Sequence, residues 1–294
     1  MAVTDTAGMA CFRTVDGSAS QGSVDDVNRP TWSEVADEYV IEGWSDPGEL
    51  GVLTHVADRV RGLPVLDLGM GGGRTVALLQ LLSSDYLGID YTPELVELCR
   101  ARHPGVDVRV GDARDLSGLP EQSRGLVVFS NNGIDAVDHE GRQQVLAGIH
   151  RVLQPDGTFL FSTLNKDNPL FGAHPGTAEK ISWVPGSLLP TPAEGASAED
   201  STPSDDPEWI RAIRNWRRLK GEMRDEGEWG LAPFAAHQFG LVTHFITLRG
   251  AVEELDRHGF DVDAVFGCDS STLHVPGEPM TSQYMHLVAR RRET

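Results

Sequence analysis

The sequence contains little cysteine, few cationic side chains and no long hydrophobic run. Its three cysteines, Cys11, Cys99 and Cys268, are scattered and form no C-x-x-C pair, which disfavours a disulfide framework and a structural zinc site. The longest apolar run, residues 76–82 (VALLQLL), is far shorter than the roughly 20 residues of a membrane-spanning helix. The first residues also lack the pattern of a secretory signal. We therefore expect a cytoplasmic protein without a membrane span.

Acidic side chains far outnumber basic ones. The chain of 294 residues has 44 Asp and Glu against 25 Lys and Arg, a formal net charge of −19. Because phosphates are bound by clustered Lys and Arg, this balance argues against a nucleic-acid partner and against an anionic membrane surface. Hydrophobic residues make up 39% of the chain, which is enough for a substantial core and too many for a wholly disordered protein.

The pattern of apolar residues changes along the chain. Residues 1–30 are small and polar without periodicity, which predicts a disordered leader. Apolar residues at spacings of three and four from Trp32 predict an amphipathic helix, and a second helix is expected over residues 49–61. Short apolar strands then alternate with helices, at residues 65–69, 85–90, 106–111, 125–132 and 158–164. This alternation is typical of βαβ units and of a parallel sheet covered on both faces.

The alternation stops between residues 166 and 240. This region contains a stretch rich in Pro, Ser and Asp, residues 185–207, followed by a predicted helix over residues 208–224. That helix is a basic island in an acidic protein, and such a run is either a solvated face or a recognition surface. Strand and helix patterns return over residues 241–248, 250–258, 260–266 and 283–289.

A glycine-rich turn follows the first predicted strand. Residues 65–75 read VLDLGMGGGRT, with glycines at positions 69, 71 and 73. Glycines between a strand and a helix let the backbone approach a ligand, and the helix start offers free N–H donors. The dinucleotide motif G-x-G-x-x-G requires a glycine where Arg74 stands, and no G-K-[ST] follows. The turn therefore disfavours pyrophosphate binding and excludes a P-loop.

Acidic residues end the next two predicted strands. Asp90 follows the second strand, where a carboxylate can accept both hydrogen bonds of a ribose diol. Asp112 follows the third strand, where its carboxylate can take an adenine amino proton while the N–H of Ala113 reaches a ring nitrogen. Either aspartate alone could be a helix cap or a turn residue. Three consecutive strand ends suited to a nucleoside favour a cofactor site.

These motifs resemble those of class I S-adenosylmethionine-dependent methyltransferases. Residues 67–73 (DLGMGGG) resemble their first motif, residues 88–90 (GID) their second, residues 110–113 (VGDA) the adenine position, and residues 125–132 (GLVVFSNN) the fourth motif. The resemblance implies a Rossmann-like α/β fold with a seven-stranded sheet whose last strand is antiparallel. It implies a cofactor-binding domain over residues 31–165 and 243–294, with residues 166–242 as an inserted cap that binds the acceptor.

The resemblance also implies roles for residues around the cofactor and its product, S-adenosylhomocysteine. Asp67 and the carbonyl groups near Asn131 are expected to receive the ammonium group, while Arg74 or the N–H groups of the glycines meet the carboxylate. Tyr91 is expected beside Asp90. The expected cofactor-binding set is Asp67, Gly69, Gly71, Gly73, Arg74, Asp90, Tyr91, Asp112, Ala113 and Asn131.

Residues 129–135 (FSNNGID) resemble a bacterial subgroup that methylates small molecules, and more weakly the indole and pyrroloindole C-methyltransferases. The Asn-Pro-Pro-Tyr tetrad of enzymes that methylate DNA amino groups is absent. We expect a small, aromatic or heterocyclic acceptor, with N-, O- and C-methylation all open. Whether the protein forms a homo-oligomer is also left open. The competing interpretations are an NAD-linked oxidoreductase, which Arg74 disfavours, and a non-catalytic cofactor-binding regulator.

Three residues are candidates for catalysis on the acceptor side. Tyr39 lies on the N-terminal helix pattern, where it is either near the methyl group or a core aromatic. His237 lies in a loop before the sheet resumes, and histidine readily takes a proton near neutral pH. His244 alternates with apolar residues and is either catalytic or a core histidine. No carboxylate cluster suited to a metal is evident, so no metal is expected.

Overall fold

Ten strands form one mixed sheet in this computed structural model, which describes residues 24–35, 45–178 and 207–293. The strands are β1 (Val65–Leu68), β2 (Tyr86–Asp90), β3 (Asp107–Val110), β4 (Arg124–Phe129), β5 (Leu153–Asn165), β6 (Arg224–Asp225), β7 (Trp229–Pro233), β8 (Val242–Ile246), β9 (Phe260–Gly267) and β10 (Tyr284–Arg291). The first five follow the order β3-β2-β1-β4-β5 and are parallel. Because the order reverses beside β1, a crevice is expected at the carboxyl ends of β1 and β4.

The sheet contains more strands than the seven predicted. β10 runs antiparallel between β5 and β9, which confirms the expected direction of the last strand. The end of β5 also pairs in parallel with β8, and β8, β7 and β6 continue from it as an antiparallel extension. β6 and β7 were not predicted from the sequence because both are short and lie in a region without regular periodicity. The fold is a Rossmann-like α/β architecture with a mixed sheet.

Helices cover both faces of this sheet. Those in the described ranges are α1 (Val24–Val35), α2 (Pro47–Val60), α3 (Val76–Gln80), α4 (Pro93–Arg102), α5 (His139–Val152), α6 (Pro175–Ala178), α7 (Pro207–Leu219) and α8 (Leu248–Arg257). Local signals set several of their starts. Asp46 and Asp138 accept hydrogen bonds from backbone N–H groups three residues later, at 2.7 and 2.8 Å, and cap α2 and α5. Pro93 begins α4, where a missing N–H costs nothing.

The core lies in two apolar layers, one on each side of the sheet. All four residues of β1 are buried, and successive side chains point to opposite faces. Leu66 and Leu68 pack in one layer with α5, whereas Val65 packs in the other with α2 and α3. The central strands are therefore held on both faces, which fixes the loops at their carboxyl ends.

The prediction of a disordered leader through residue 30 is wrong for residues 24–30, which belong to α1. Asn28 of this helix is buried and donates hydrogen bonds of 2.8 Å to the carbonyl oxygens of Ala136 and Val242. Its side-chain oxygen accepts from the N–H of Val242 at 3.0 Å. These contacts join α1 to distant parts of the chain, so no local pattern reveals them. Tyr39, which we predict on the N-terminal helix, and residues 1–23 of the predicted leader lie outside the described residues.

Between β5 and β8, the described residues include α7 and two short turns. α7 ends at Leu219, five residues short of the predicted helix, and a short 3₁₀ turn (Lys220–Glu222) follows. A further 3₁₀ turn, Ala236–Phe239, precedes β8 and packs on α7. Within the described ranges, no helix is long and apolar enough to span a membrane.

Candidate active site

A cavity of about 970 Å³, continuous with solvent, opens at the carboxyl ends of β1, β2 and β4. Four segments form most of its wall: the glycine turn after β1, residues 89–92 at the end of β2, Gly111 and Ala113 after β3, and residues 129–133 at the end of β4. Trp32 of α1 completes the wall. The sequence thus predicts the place of the cavity correctly, because parallel strands bring their carboxyl ends to one edge.

The glycine turn after β1 needs glycine for two reasons. Gly69, Gly71 and Gly73 all have positive φ angles, of 59°, 56° and 90°, in a region that other residues rarely adopt. A Cβ atom on Gly69 would lie 2.6 Å from the ring of Phe129, and one on Gly73 would lie 2.6 Å from His103. The turn therefore packs too tightly for side chains and presents its backbone to the cavity.

Asp90 lines the cavity and is held in place by two backbone groups. Its carboxylate accepts from the N–H of Gly71 at 3.0 Å and from the N–H of Thr92 at 2.8 Å. Burial raises the pKa of this carboxyl, and the two hydrogen bonds oppose the rise. Each carboxylate oxygen has a second lone pair, so two acceptor positions are left for the two hydroxyls of a ribose. This geometry fits the role predicted for Asp90.

Tyr91 lies beside Asp90 in the cavity wall, and its ring is covered by Arg29 of α1. The guanidinium carbon of Arg29 is 4.7 Å from the ring centroid. The same guanidinium donates to Asp112 at 2.8 Å. Arg29 therefore joins α1 to the ends of β2 and β3, where the sequence predicts the nucleoside.

The structure does not place Asp112 in the cavity wall, although its neighbours Gly111 and Ala113 lie there. The carboxylate of Asp112 instead accepts from the guanidinium of Arg114, at 2.9 and 2.6 Å, and from Arg29. These cations hold the pKa of Asp112 below its usual value, against the opposing effect of partial burial. A direct bond from this carboxylate to an adenine amino group is therefore disfavoured. Ala113 does line the cavity, and the contact of its N–H with a ring nitrogen stays a prediction.

Asp67 is fully buried behind the glycine turn rather than in the cavity wall. One carboxylate oxygen accepts from the hydroxyls of Thr75 and Tyr86, at 2.6 and 2.8 Å, and the other has no partner among the described residues. Burial raises the pKa of Asp67 to about 6. Its contacts fix the shape of the turn, so direct contact with a ligand ammonium, as predicted, would require the turn to move.

Arg74 lines the cavity, but its guanidinium is already paired. It donates two hydrogen bonds to Glu49 of α2, at 2.6 and 2.8 Å, and one to the hydroxyl of Ser130 at 3.2 Å. Both members of the ion pair are largely buried. Arg74 therefore has a structural role, since it connects α2 to the end of β4, and its binding of a cofactor carboxylate stays a prediction.

The segment after β4 contains two asparagines with left-handed backbone. Asn131 and Asn132 have φ angles of 50° and 59°, and both line the cavity. The N–H of Asn132 donates to Ser162 of β5 at 2.7 Å, which holds this turn against the sheet. Asn131 thus lies at the cavity, and the contact of the nearby carbonyl groups with a ligand ammonium stays a prediction.

His237 does not line the cavity, but its ring contacts Trp32, which does. The two rings meet edge to face, with centroids 5.0 Å apart. His237, Gln238 and Phe239 all have left-handed φ angles, of 53°, 49° and 58°, an unusual run for residues other than glycine. Asn215 of α7 donates to the carbonyl of Gln238 at 3.0 Å. Strained backbone held by its surroundings is common at functional sites, and this observation favours His237 among the catalytic candidates.

His244 is fully buried in β8 and does not line the cavity. A ring nitrogen of His244 lies 3.1 Å from one of His139, and both rings are parallel to that of Trp229. Burial, followed by the charges of Arg142 and His139, lowers the pKa of His244 well below its usual value. This placement favours the core histidine, one of the two alternatives for His244, and its catalytic role stays an untested prediction.

Sequence reasoning missed three residues that shape this site. Asn28 and Arg29 belong to a segment predicted to be disordered, and Ser130 carries no pattern of its own. The sequence shows only that Asn28 and Arg29 are polar. Polar residues are as typical of a loop as of a helix that forms hydrogen bonds with distant elements, so the sequence could not separate the two cases. Among the described residues, no three His, Cys, Asp or Glu side chains form a group that could bind a metal ion.

Comparisons with known proteins agree with this geometry. Residues 65–157 match a family model described as a methyltransferase domain. A probable S-adenosylmethionine-dependent methyltransferase of Mycolicibacterium smegmatis is 35% identical over 116 residues, which cover 39% of this chain and 43% of the relative. A ubiquinone biosynthesis O-methyltransferase of Xanthomonas campestris is 31% identical over 136 residues, 44% of this chain and 55% of the relative. The chain thus spans about half the length of these curated relatives.

A solved structure shares the fold along most of the chain. The 1,6-didemethyltoxoflavin-N1-methyltransferase of Burkholderia thailandensis, solved with 1,6-didemethyltoxoflavin and S-adenosylhomocysteine, superposes with a TM-score of 0.56. It is 16% identical, and the match covers 94% of each chain. Residues 65–157 thus match a methyltransferase domain, and the chain shares the Rossmann-like fold of this solved structure. S-adenosylmethionine is the cofactor that the description of the Mycolicibacterium smegmatis relative names.

Proposed function

We propose that this protein transfers the methyl group of S-adenosylmethionine to a small, uncharged, aromatic or heterocyclic acceptor. The observation that carries the proposal is the cavity at the strand ends, where the glycine turn and Asp90 face the same space as Trp32 and Asn131. One side of this space fits a nucleoside, and the other is left for an acceptor. The matched methyltransferase domain supports the reaction class.

Residues of this chain fit the cofactor in three places. The backbone of the glycine turn, in which Gly69 and Gly73 have no room for a Cβ, approaches a ligand closely. Asp90 has acceptor positions that we assign to ribose hydroxyls, and Ala113 lines the cavity, where we assign its N–H to an adenine nitrogen. S-adenosylmethionine, when bound, supplies a methyl group on a sulfonium sulfur. The protein then contributes chiefly proximity and alignment of the acceptor with that carbon.

The character of the acceptor follows from the remaining wall. Trp32, Phe129 and Ala136 contribute apolar and aromatic surface, and Asn131 and Asn132 contribute neutral polar groups. Among the described residues of the wall, the charged side chains are Asp90, which we assign to the ribose, and Arg74, which is paired with Glu49. Neither of these two side chains is left as a counter-ion for a charged acceptor. A flat neutral ring that packs against Trp32 fits best.

We assign proton removal from the acceptor to His237, where the acceptor must lose a proton. Its half-buried ring touches Trp32, and the Ala236–Phe239 turn fixes its backbone. Residues 166–242 and α1 would together form the acceptor cap. Tyr39 stays a candidate for the same side. The resemblance to small-molecule and indole methyltransferases is consistent with such an acceptor, and a cytoplasmic location stays a prediction.

Two measurements test the proposal. Isothermal titration with S-adenosylmethionine and with NADH should give binding for the first only, and tighter binding of NADH would favour the oxidoreductase. Incubation with a panel of neutral heteroaromatic compounds should then yield S-adenosylhomocysteine in proportion to methylated product. Cofactor binding without turnover on neutral or charged acceptors would favour a non-catalytic regulator.

A further inference from the structure

One face of α7 carries four arginines that make no ion pair within the described residues. Arg211, Arg214, Arg217 and Arg218 are all exposed. Most other arginines in the described ranges are bound to a carboxylate or a carbonyl oxygen, among them Arg59, Arg114 and Arg292. Four unpaired cations on one helix are unusual in a chain with a net charge of −19.

The arginines lie on one side of the helix. At 3.6 residues per turn, they and Ile210 fall within about 120° of the helix circumference. Ile210 is 42% exposed, so the face has an apolar position among the cations. The opposite side, with Ala212 and Leu219, is buried against the inserted region. We call the exposed residues 210, 211, 214, 217 and 218 the arginine face.

The arginine face is not part of the proposed acceptor cavity. α7 packs through its other side on the Ala236–Phe239 turn, and Asn215 on that side bonds to Gln238. The guanidinium groups therefore point away from the cavity. Their ligand is not among the described residues of this chain, and it must be large enough to span all four arginines.

We propose that the arginine face binds an acidic segment of another protein. The four arginines extend over about 10 Å along the helix, which is the length of two turns of a helix with carboxylates at spacings of three and four. Guanidinium groups pair with carboxylates in a bidentate way, and Ile210 offers the apolar contact usual at the centre of a protein interface. This inference does not depend on the proposed methyl transfer.

Charge distribution favours an acidic protein over a nucleic acid. A nucleic acid is a long polyanion, and the excess of 19 negative charges on this chain would repel it beyond the small basic area. A short acidic segment contacts the arginine face alone and avoids most of that repulsion. The exposed Ile210 also has no partner on a phosphate backbone.

The test uses the full chain and a fluorescent synthetic helical peptide with four Glu and one Leu at the matching spacing. Anisotropy should show binding at about 50 mM NaCl that weakens at least about tenfold at about 500 mM, since screening reduces exposed ion pairs. Replacing the four Glu by Gln should abolish binding. The variant R211E/R214E should weaken binding at least tenfold.

A matched control is R61E/R257E, which changes the net charge equally at exposed arginines away from α7. Its affinity for the peptide should stay within twofold of the original chain, and both variants should melt at the same temperature. Equal losses in both variants would overturn the proposal, because the effect would then come from net charge. Three other results would also overturn the proposal. They are no binding of the peptide, tighter binding of duplex RNA through the same arginines, and salt-sensitive dimers of the chain that R211E/R214E abolishes.

Discussion

The carboxylate of Asp90 accepts a hydrogen bond from the backbone N–H of Gly71, 3.0 Å away. This bond joins the end of β2 to the glycine turn after β1, so two strands present one continuous binding edge. The same carboxylate is held by Thr92 on its other oxygen. Asp90 is thus oriented before any ligand arrives, which reduces the entropy lost on binding.

Replacing Asp90 by Ala should weaken S-adenosylmethionine binding at least about tenfold, since a hydrogen bond to a charged group contributes about 1.5–3 kcal/mol. Calorimetric titration measures the dissociation constant, and circular dichroism checks that the variant is folded. Asp107→Ala is the control, because Asp107 lies exposed at the far end of the neighbouring strand β3. An unchanged dissociation constant for Asp90→Ala would exclude the proposed ribose site.

Breaking the Arg74–Glu49 pair should destabilise the fold. Arg74→Met leaves the buried carboxylate of Glu49 without its counter-ion, and the expected loss in free energy of unfolding is about 3 kcal/mol. The double variant Arg74→Met with Glu49→Leu should recover most of the lost free energy of unfolding. Urea denaturation measures the free energy of unfolding of both variants. If cofactor affinity also stays low in the double variant, Arg74 binds the cofactor directly; recovery of affinity with stability would assign it a structural role alone.

The buried carboxyl of Asp67 should make stability depend on pH. Its pKa is raised to about 6 by burial, so the folded state holds the proton more tightly than the unfolded state. The resulting stabilisation is present at low pH and is lost as pH rises through about 6. Asp67→Asn cannot titrate, so its stability relative to the original chain should increase by about 1 kcal/mol between about pH 5 and about pH 7.5. Urea denaturation at both pH values checks this, and a constant difference would contradict it.

Replacing His237 by Asn should slow methyl transfer by about 10²-fold for an acceptor that must lose a proton, with cofactor affinity unchanged. Asn tolerates the left-handed backbone at this position, so the turn should keep its shape. His174→Asn is the control, since His174 is an exposed histidine of the same region. His244→Gln should lower stability but leave the rate constant of the folded enzyme within a fewfold. A normal rate for His237→Asn would remove the proposed base.

Local sequence patterns were sufficient to predict the strands and the glycine turn whose ends line the cavity. The glycines at positions 69, 71 and 73 predict a turn that only glycine can form, and the apolar runs predict β1, β2 and β4. Asp90 could be assigned from its place at a strand end, since parallel strands bring such residues to one edge. These features depend on backbone preferences and on periodicity, which are properties of short segments.

Only the tertiary structure showed which partners the charged and polar groups select. Arg74 forms an ion pair with Glu49 on another helix, and Asp112 forms ion pairs with Arg29 and Arg114. Asn28 hydrogen bonds to Val242 and so connects α1 to β8. The sequence by itself determined the strands, the glycine turn and the acid at the cavity edge. The structure decided how the cavity is covered and which charges are left for a ligand, because hydrogen bonds between distant segments depend on how the whole chain packs.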